Sequence, residues 1–139
     1  MTMERTFSII KPDAVKSGKA GLVLAKLEEH GFRVLGLRMV HLSKETAERF
    51  YGVHKERPFF GSLVTFMSEG PAIVMALERE DAVKKLREVM GATNPANAAE
   101  GTVRKLYADS IERNAIHGSD APETAKEELA FFFAGMDLK

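Results

Sequence analysis

The run Ala72-Ile73-Val74-Met75-Ala76-Leu77, entered through Pro71, limits the fold more than any other stretch. Six apolar residues without alternation read as a strand buried on both faces, so the sheet that contains it needs cover on each side. Helical patterns elsewhere supply that cover. Asp81 to Met90 is the clearest, with Ala82, Val83, Leu86, Val89 and Met90 on one face and Arg87 at its edge.

The other elements follow from spacing and from breakers. Arg5 to Lys11 alternates, with Phe7 and Ile9 opposite Thr6 and Ser8, and this first strand must stop at Pro12. Gly21 to His30 is an amphipathic helix ended by Gly31. Arg33 to Leu42 reads as the second strand. Ser43 then caps a helix that runs to Tyr51, with Thr46 at the capping-box position. Gly52 breaks it, a polar stretch follows, and Phe59 to Met67 is a short helix.

Between Gly91 and Arg113 periodicity fades, and only Val103 to Ala108 reads as a helical turn. A loop this long in a compact domain is functional or disordered, and its arginines and threonine favour the first. Ala115 and Ile116 form a short buried strand, and Gly118 permits a sharp turn. Ala121 to Phe133 is the final helix, for which Asp120 as N-cap and Glu123 make a capping box around Pro122. The order predicts an α+β fold: a ferredoxin-like βαββαβ antiparallel sheet covered by helices. A long loop separates the Asp81–Met90 helix from the last strand, and residues 1–139 read as one domain.

The chemistry is expected where that last strand meets the last helix. His117 stands at this handover, where its ring can face a cleft. A neutral imidazole can act as a nucleophile near pH 7 once its tautomer is fixed. Taken alone, His117 reads more readily as a histidine that merely hydrogen-bonds at a strand end. Glu128 lies three after Ala125 and four before Phe132, at the boundary of the final helix's apolar face. A carboxylate there needs a partner, which is His117, a nearby cation, or water.

The formal net charge is zero, with 20 Lys plus Arg against 20 Asp plus Glu. No global basic field recruits nucleic acid, so an anion site must be local. Neither G-x-x-x-x-G-K-[ST] nor G-x-G-x-x-G occurs. What remains for phosphates is a dispersed set: Lys11, His54, Arg57, Arg87, Thr93 and Arg104. Each basic residue alone also reads as a surface charge, and Phe59 alone as core. The absence of cysteine removes disulfides, thiol catalysis and Cys-ligated zinc. No signal peptide or membrane-length apolar run is visible, which makes the cytoplasm the expected compartment.

Asn114-Ala115-Ile116-His117-Gly118-Ser119-Asp120 resembles the active-site motif of nucleoside diphosphate kinases. Further pieces of that family's pattern occur in order: Ile10-Lys11-Pro12-Asp13-Ala14-Val15, Arg57-Pro58-Phe59-Phe60, Ser68-Glu69-Gly70-Pro71, Gly91-Ala92-Thr93-Asn94-Pro95 and Gly101-Thr102-Val103-Arg104. The resemblance covers about Arg5 to Phe133 and implies the same fold.

It also implies roles. His117 would take the γ-phosphoryl group of a nucleoside triphosphate and pass it to a diphosphate, a ping-pong route through phosphohistidine. Lys11 and Asn114 would bind the sugar hydroxyls, with Lys11 also reaching the transferred phosphate, and Tyr51 would sit beside the histidine. His54, Arg57, Arg87, Thr93 and Arg104 would hold phosphates, while Phe59 and Ile111 sandwich the base. Ser119 and Glu128 would stand behind His117. Stacking without base-edge readout implies tolerance of every base and both sugars. Mg²⁺ would arrive chelated to the nucleotide, through phosphates and water, with few or no protein ligands.

The resemblance implies a homo-oligomer, tetramer before hexamer or dimer, and the short tail is of the bacterial type. Two positions depart from many family members: Leu106 replaces an Asp and Glu100 a proline. Both lie in the loop that the family packs at subunit interfaces. A catalytically silent nucleotide-binding module would be expected to lack His117, Lys11 or the arginines, and all are present. A nucleic-acid-binding domain would carry a basic stripe with interleaved aromatics, and none is evident.

Overall fold

The computed structural model describes residues 2–139; Met1 lies outside them. Four strands, β1 (Met3–Ile10), β2 (Arg33–Val40), β3 (Ala72–Glu80) and β4 (Ile116–Gly118), form one antiparallel sheet in the order β2-β3-β1-β4. That is the expected ferredoxin-like arrangement. Seven α-helices accompany it: α1 (Pro12–Lys16), α2 (Ala20–Glu29), α3 (Lys44–Phe50), α4 (Phe60–Met67), α5 (Ala82–Met90), α6 (Val103–Tyr107) and α7 (Pro122–Phe132).

β3 and β1 run side by side through the middle, from Met3 opposite Glu80 to Ile10 opposite Ile73. Both faces of these strands are covered, as the unbroken apolar run of β3 requires. On one face Met75, Leu77 and Ile10 pack with Val23 and Leu27 of α2 and Leu86, Val89 and Met90 of α5. On the other, Phe7, Ile9, Val74 and Ala76 meet Ala47, Val64, Phe66, Met67 and Phe133. Even Thr6 and Ser8, the polar half of β1's alternation, are fully buried. β2 lies at one edge of the sheet and the three-residue β4 at the other.

The local signals hold at several ends. Ser43 Oγ accepts the Thr46 amide at 3.0 Å, the expected cap of α3. Gly31, at φ +84°, closes α2. Other expectations are corrected. Lys11 is not the last residue of β1, which ends at Ile10; it precedes α1, a helix the sequence reading lacked. Pro12 stops the strand and also starts a helix, because its fixed φ and missing amide suit a first turn.

Asp120 does not cap α7 either. Ala121 stands at that position without a side-chain cap, and the Asp120 carboxylate accepts from Arg87 instead at 2.9 Å. Gly118 makes no turn of its own but is the last residue of β4. Its role is space: a Cβ there would meet Met90 Sδ at 2.6 Å and Leu86 Cδ2 at 2.8 Å, so α5 can lie this close only to a glycine. Ala115 stays outside β4, with φ at +71°.

Candidate active site

One cleft of about 580 Å³ gathers most of the dispersed residues. Lys11 enters from the β1–α1 junction, Tyr51, His54 and Phe59 from the α3–α4 segment, and Arg87 from α5. The long loop provides Thr93, Arg104, Ile111 and Asn114, and His117 and Glu128 come from β4 and α7. Arg57 and Ser119 are not among the lining residues: Arg57 is exposed on the α3–α4 connection, and Ser119 lies buried behind Glu128.

His117 is fixed from behind. Its residue pairs with Ile9 across β4 and β1, and its carbonyl accepts the Ser8 hydroxyl at 2.7 Å. The half-buried ring sits edge-on among Phe7, Phe50 and Tyr51, with centroids 6.1, 5.7 and 6.4 Å away. Nε2 lies 2.9 Å from Glu128 Oε1, and the Ser119 hydroxyl donates to that same oxygen at 2.6 Å. An ionised carboxylate only accepts, so the bond places the proton on Nε2. Nδ1 then carries the free lone pair.

Three cations line the cleft together with the ring. Lys11 is buried and donates to Asn114 Oδ1 at 2.8 Å. Burial lowers its pKa to about 8, and the charge of Arg104 pushes the same way, against the carboxylates of Asp13 and Glu112. Arg104 is buried too, its guanidinium donating to the carbonyls of Gly91 at 3.0 Å and Ile116 at 2.8 Å. Desolvation, followed by repulsion from Arg87, brings its pKa down to about 10. Arg87 is more open and divides its Nη1 between Asp120 and the Gly118 carbonyl.

The apolar wall is of two kinds. Phe59 is 45% and Ile111 60% exposed, so Phe59 is not a core residue; the two line the cleft as an open apolar pair. Tyr51 is buried, and its hydroxyl has no partner among the described residues. Burial raises its pKa, the Glu128 charge adding to the effect, so it stays a neutral hydroxyl. Phe7 and Phe50 confine the imidazole, and the alternation of β1 gives the face of Phe7 but not what that face meets.

A family model described as nucleoside diphosphate kinase matches residues 4–138. The chain is 59% identical over 138 residues to a nucleoside diphosphate kinase of Brucella canis, covering 99% of each. The crystal structure of the Aquifex aeolicus nucleoside diphosphate kinase superposes with a TM-score of 0.97 at 42% identity, over 99% of this chain and 100% of that one. A halophilic nucleoside diphosphate kinase from Halobacterium salinarum, solved in complex with CDP, gives 0.95 at 37% identity, over 99% and 92%. The scaffold is thus shared with these enzymes along nearly its whole length, and the chain is an enzyme of the nucleoside diphosphate kinase family.

Proposed function

We propose that the enzyme moves the γ-phosphoryl group from a nucleoside triphosphate to a nucleoside diphosphate by way of a phosphohistidine at His117. The observation that carries this is the 2.9 Å bond from Nε2 to Glu128, which leaves the Nδ1 lone pair as the nucleophile. In the first half-reaction Nδ1 forms a bond to the γ-phosphorus while the bond to the β–γ bridging oxygen breaks, and the diphosphate leaves. The Nε2 proton stays on its hydrogen bond to Glu128, whose charge offsets the positive ring. A second diphosphate then attacks the phosphohistidine and reverses each step.

Lys11, Arg87 and Arg104 suit the developing charge on the equatorial and bridging oxygens, assisted by His54 and Thr93. Arg57 belongs to this set only if its exposed side chain swings in. Asn114, joined to Lys11, suits the sugar hydroxyls. Phe59 and Ile111 offer faces without base-specific donors or acceptors, which supports tolerance of all bases and of both sugars. Mg²⁺ would come chelated by the nucleotide's phosphates and water and would neutralise charge there. Lys11, Arg87 and Arg104 give the cleft cationic donors that complement phosphate oxygens.

A homo-oligomer is supported by the exposed apolar side chains of Leu37 and Met39 on the edge strand β2, and a tetramer is the form proposed. The cytoplasm is the proposed compartment; no helix among the described residues is long and apolar enough to cross a membrane.

The test is a labelling experiment. Mg-ATP labelled at the γ position, incubated without acceptor, should leave acid-labile, base-stable label on His117. His117→Ala should bind nucleotide without taking label. Parallel double-reciprocal plots with adenine, guanine, cytosine and uracil diphosphates would extend the result to the full cycle. Nucleotide binding without any labelled protein would overturn the proposal.

A further inference from the structure

Asp13 has no part in the chemistry above, yet it is buried beside it. Its Oδ2 accepts the amide of Ala115 at 3.1 Å, and its Oδ1 has no partner among the described residues. A carboxylate held dry with one oxygen unsatisfied is costly wherever it occurs. Burial pushes its pKa up, opposed by the Ala115 amide, the charge of Lys11 and, more weakly, the backbone amides of Ala14 and of Asp13 itself. What the carboxylate holds explains why such a group stands there.

Ala115 is one of two non-glycine residues with positive φ among the described residues. The Ile116 amide donates to the Asn114 carbonyl at 2.8 Å, so residues 114 to 116 form a γ-turn with φ +71° at its centre. This hand of γ-turn is the strained one, and such a backbone persists only where its surroundings over-determine it. Here they do so from both sides. The Ala115 amide is fixed by Asp13, and its carbonyl accepts the backbone amide of Lys11 at 2.8 Å.

The turn has consequences on either side. Asn114, its first residue, receives Lys11 Nζ at 2.8 Å. Ile116, its last, begins β4, which pairs with β1 over only three residues, the second of them His117. So short a strand has little register energy of its own, and its starting point is set by whatever fixes the turn before it.

We propose that Asp13 is a positioning residue of this active site: its carboxylate holds the Asn114–Ile116 turn in its left-handed form, and the turn aims both Asn114 and His117 into the cleft. The inference rests on the phosphohistidine reading for its kinetic readout alone. The hydrogen bond and the turn are properties of the fold and are measured without turnover.

The test uses four full-length proteins beside the parent: Asp13→Ala, Asp13→Asn, Ala115→Gly and the Asp13→Ala/Ala115→Gly pair. Readouts are the single-turnover rate of His117 labelling by γ-labelled Mg-ATP, the ring nitrogen shifts of His117 by NMR, and the melt. Asp13→Ala should slow labelling by about tenfold or more, the order seen when an orienting partner is lost. It should also move the His117 ring shifts. Asp13→Asn keeps an oxygen acceptor for the Ala115 amide and should recover most of that rate. Glycine enters the left-handed region without the Cβ penalty, so Ala115→Gly should restore much of the rate to Asp13→Ala while doing little alone.

A merely structural aspartate would not be rescued by a glycine two residues before the histidine. Asp13→Ala with parental rate and ring shifts overturns the proposal, and so does a pair as slow as Asp13→Ala alone. Where Asp13→Ala does not fold, the melt decides: a cooperative transition restored by Ala115→Gly supports the proposal, and none overturns it. If the parent itself takes no label, the phosphohistidine reading fails, and the ring shifts of the same proteins still decide whether Asp13 sets the histidine.

Discussion

Glu128 Oε1 accepts two hydrogen bonds at once, from His117 Nε2 at 2.9 Å and from the Ser119 hydroxyl at 2.6 Å. The two donors approach one oxygen, so Ser119 anchors the carboxylate while the carboxylate orients the ring. Spacing in the final helix puts Glu128 at the boundary of its apolar face, where a carboxylate needs a partner, and the fold supplies two: the Ser119 hydroxyl at 2.6 Å and the imidazole at 2.9 Å.

Glu128→Gln keeps the size and an acceptor oxygen but removes the charge that offsets the imidazolium. The single-turnover rate of His117 labelling should fall by about 10- to 100-fold, the range for groups that orient a ligand from behind. The melting temperature should change little. Labelling at the parental rate would show that the charge is not used.

Lys11 gives the enzyme a pH limit. Burial sets its pKa at about 8 against an ordinary 10.5, so in the free enzyme the ammonium is lost above about pH 8. The profile of kcat/KM reports free-enzyme groups and should carry an alkaline limb near that pH. Bound phosphates favour the charged form, so the limb in kcat should lie higher. Stability moves the opposite way. Between pH 8 and 10.5 the unfolded chain holds a proton on Lys11 that the folded chain has released, and stability therefore rises with pH across that window. Below pH 8 the cost of burying the charge is fully present. Urea melts of the parent and Lys11→Met at several pH values isolate the term, since other titrating groups cancel in the difference.

The fold was legible because its signals are periodic. The unbroken apolar run of β3, the alternation of β1 and the apolar stripe of α5 each name a face that must be covered. The site was legible only through the ordered resemblance. Lys11, Arg87 and Arg104 are separated along the chain by 76 and 17 residues, and no spacing rule brings them to one ring. What escaped was of two kinds. Pro12 and Asp120 each fit a local rule, but α1 and the Arg87 pair were decided by packing. The left-handed φ of Ala115 has no sequence signal, because an alanine there contradicts local preference and is held by a residue 102 positions away.

Arg104 joins the fold to the cleft. Its two amino groups bind the carbonyls of Gly91 and Ile116, bridging the end of α5 to the start of β4. Arg104→Lys keeps a charge but replaces the planar fork with one compact ammonium. Losing one of two charged hydrogen bonds should cost about 1.5 to 3 kcal/mol by urea denaturation, and turnover should fall with it. A variant as stable and active as the parent would show that the guanidinium bridge carries neither role.

Gly118 offers a test of how α5 positions the histidine's strand. A Cβ at this residue would lie 2.6 Å from Met90 Sδ and 2.8 Å from Leu86 Cδ2, both closer than real Cβ contacts. Each of those side chains is almost wholly buried, so neither can swing into solvent to make room. Gly118→Ala must then displace α5, displace β4, or force poor rotamers, and overpacking of this kind costs about 1 to 3 kcal/mol. The remedy identifies the cause. Met90→Ala alone should destabilise by leaving a cavity, but in the Gly118→Ala background it also removes the clash. The two losses should therefore sum to more than the double variant shows, a favourable coupling measurable in a urea double-mutant cycle. Strictly additive losses would mean that the new methyl group is accommodated without touching Met90, and that β4 rather than α5 gives way.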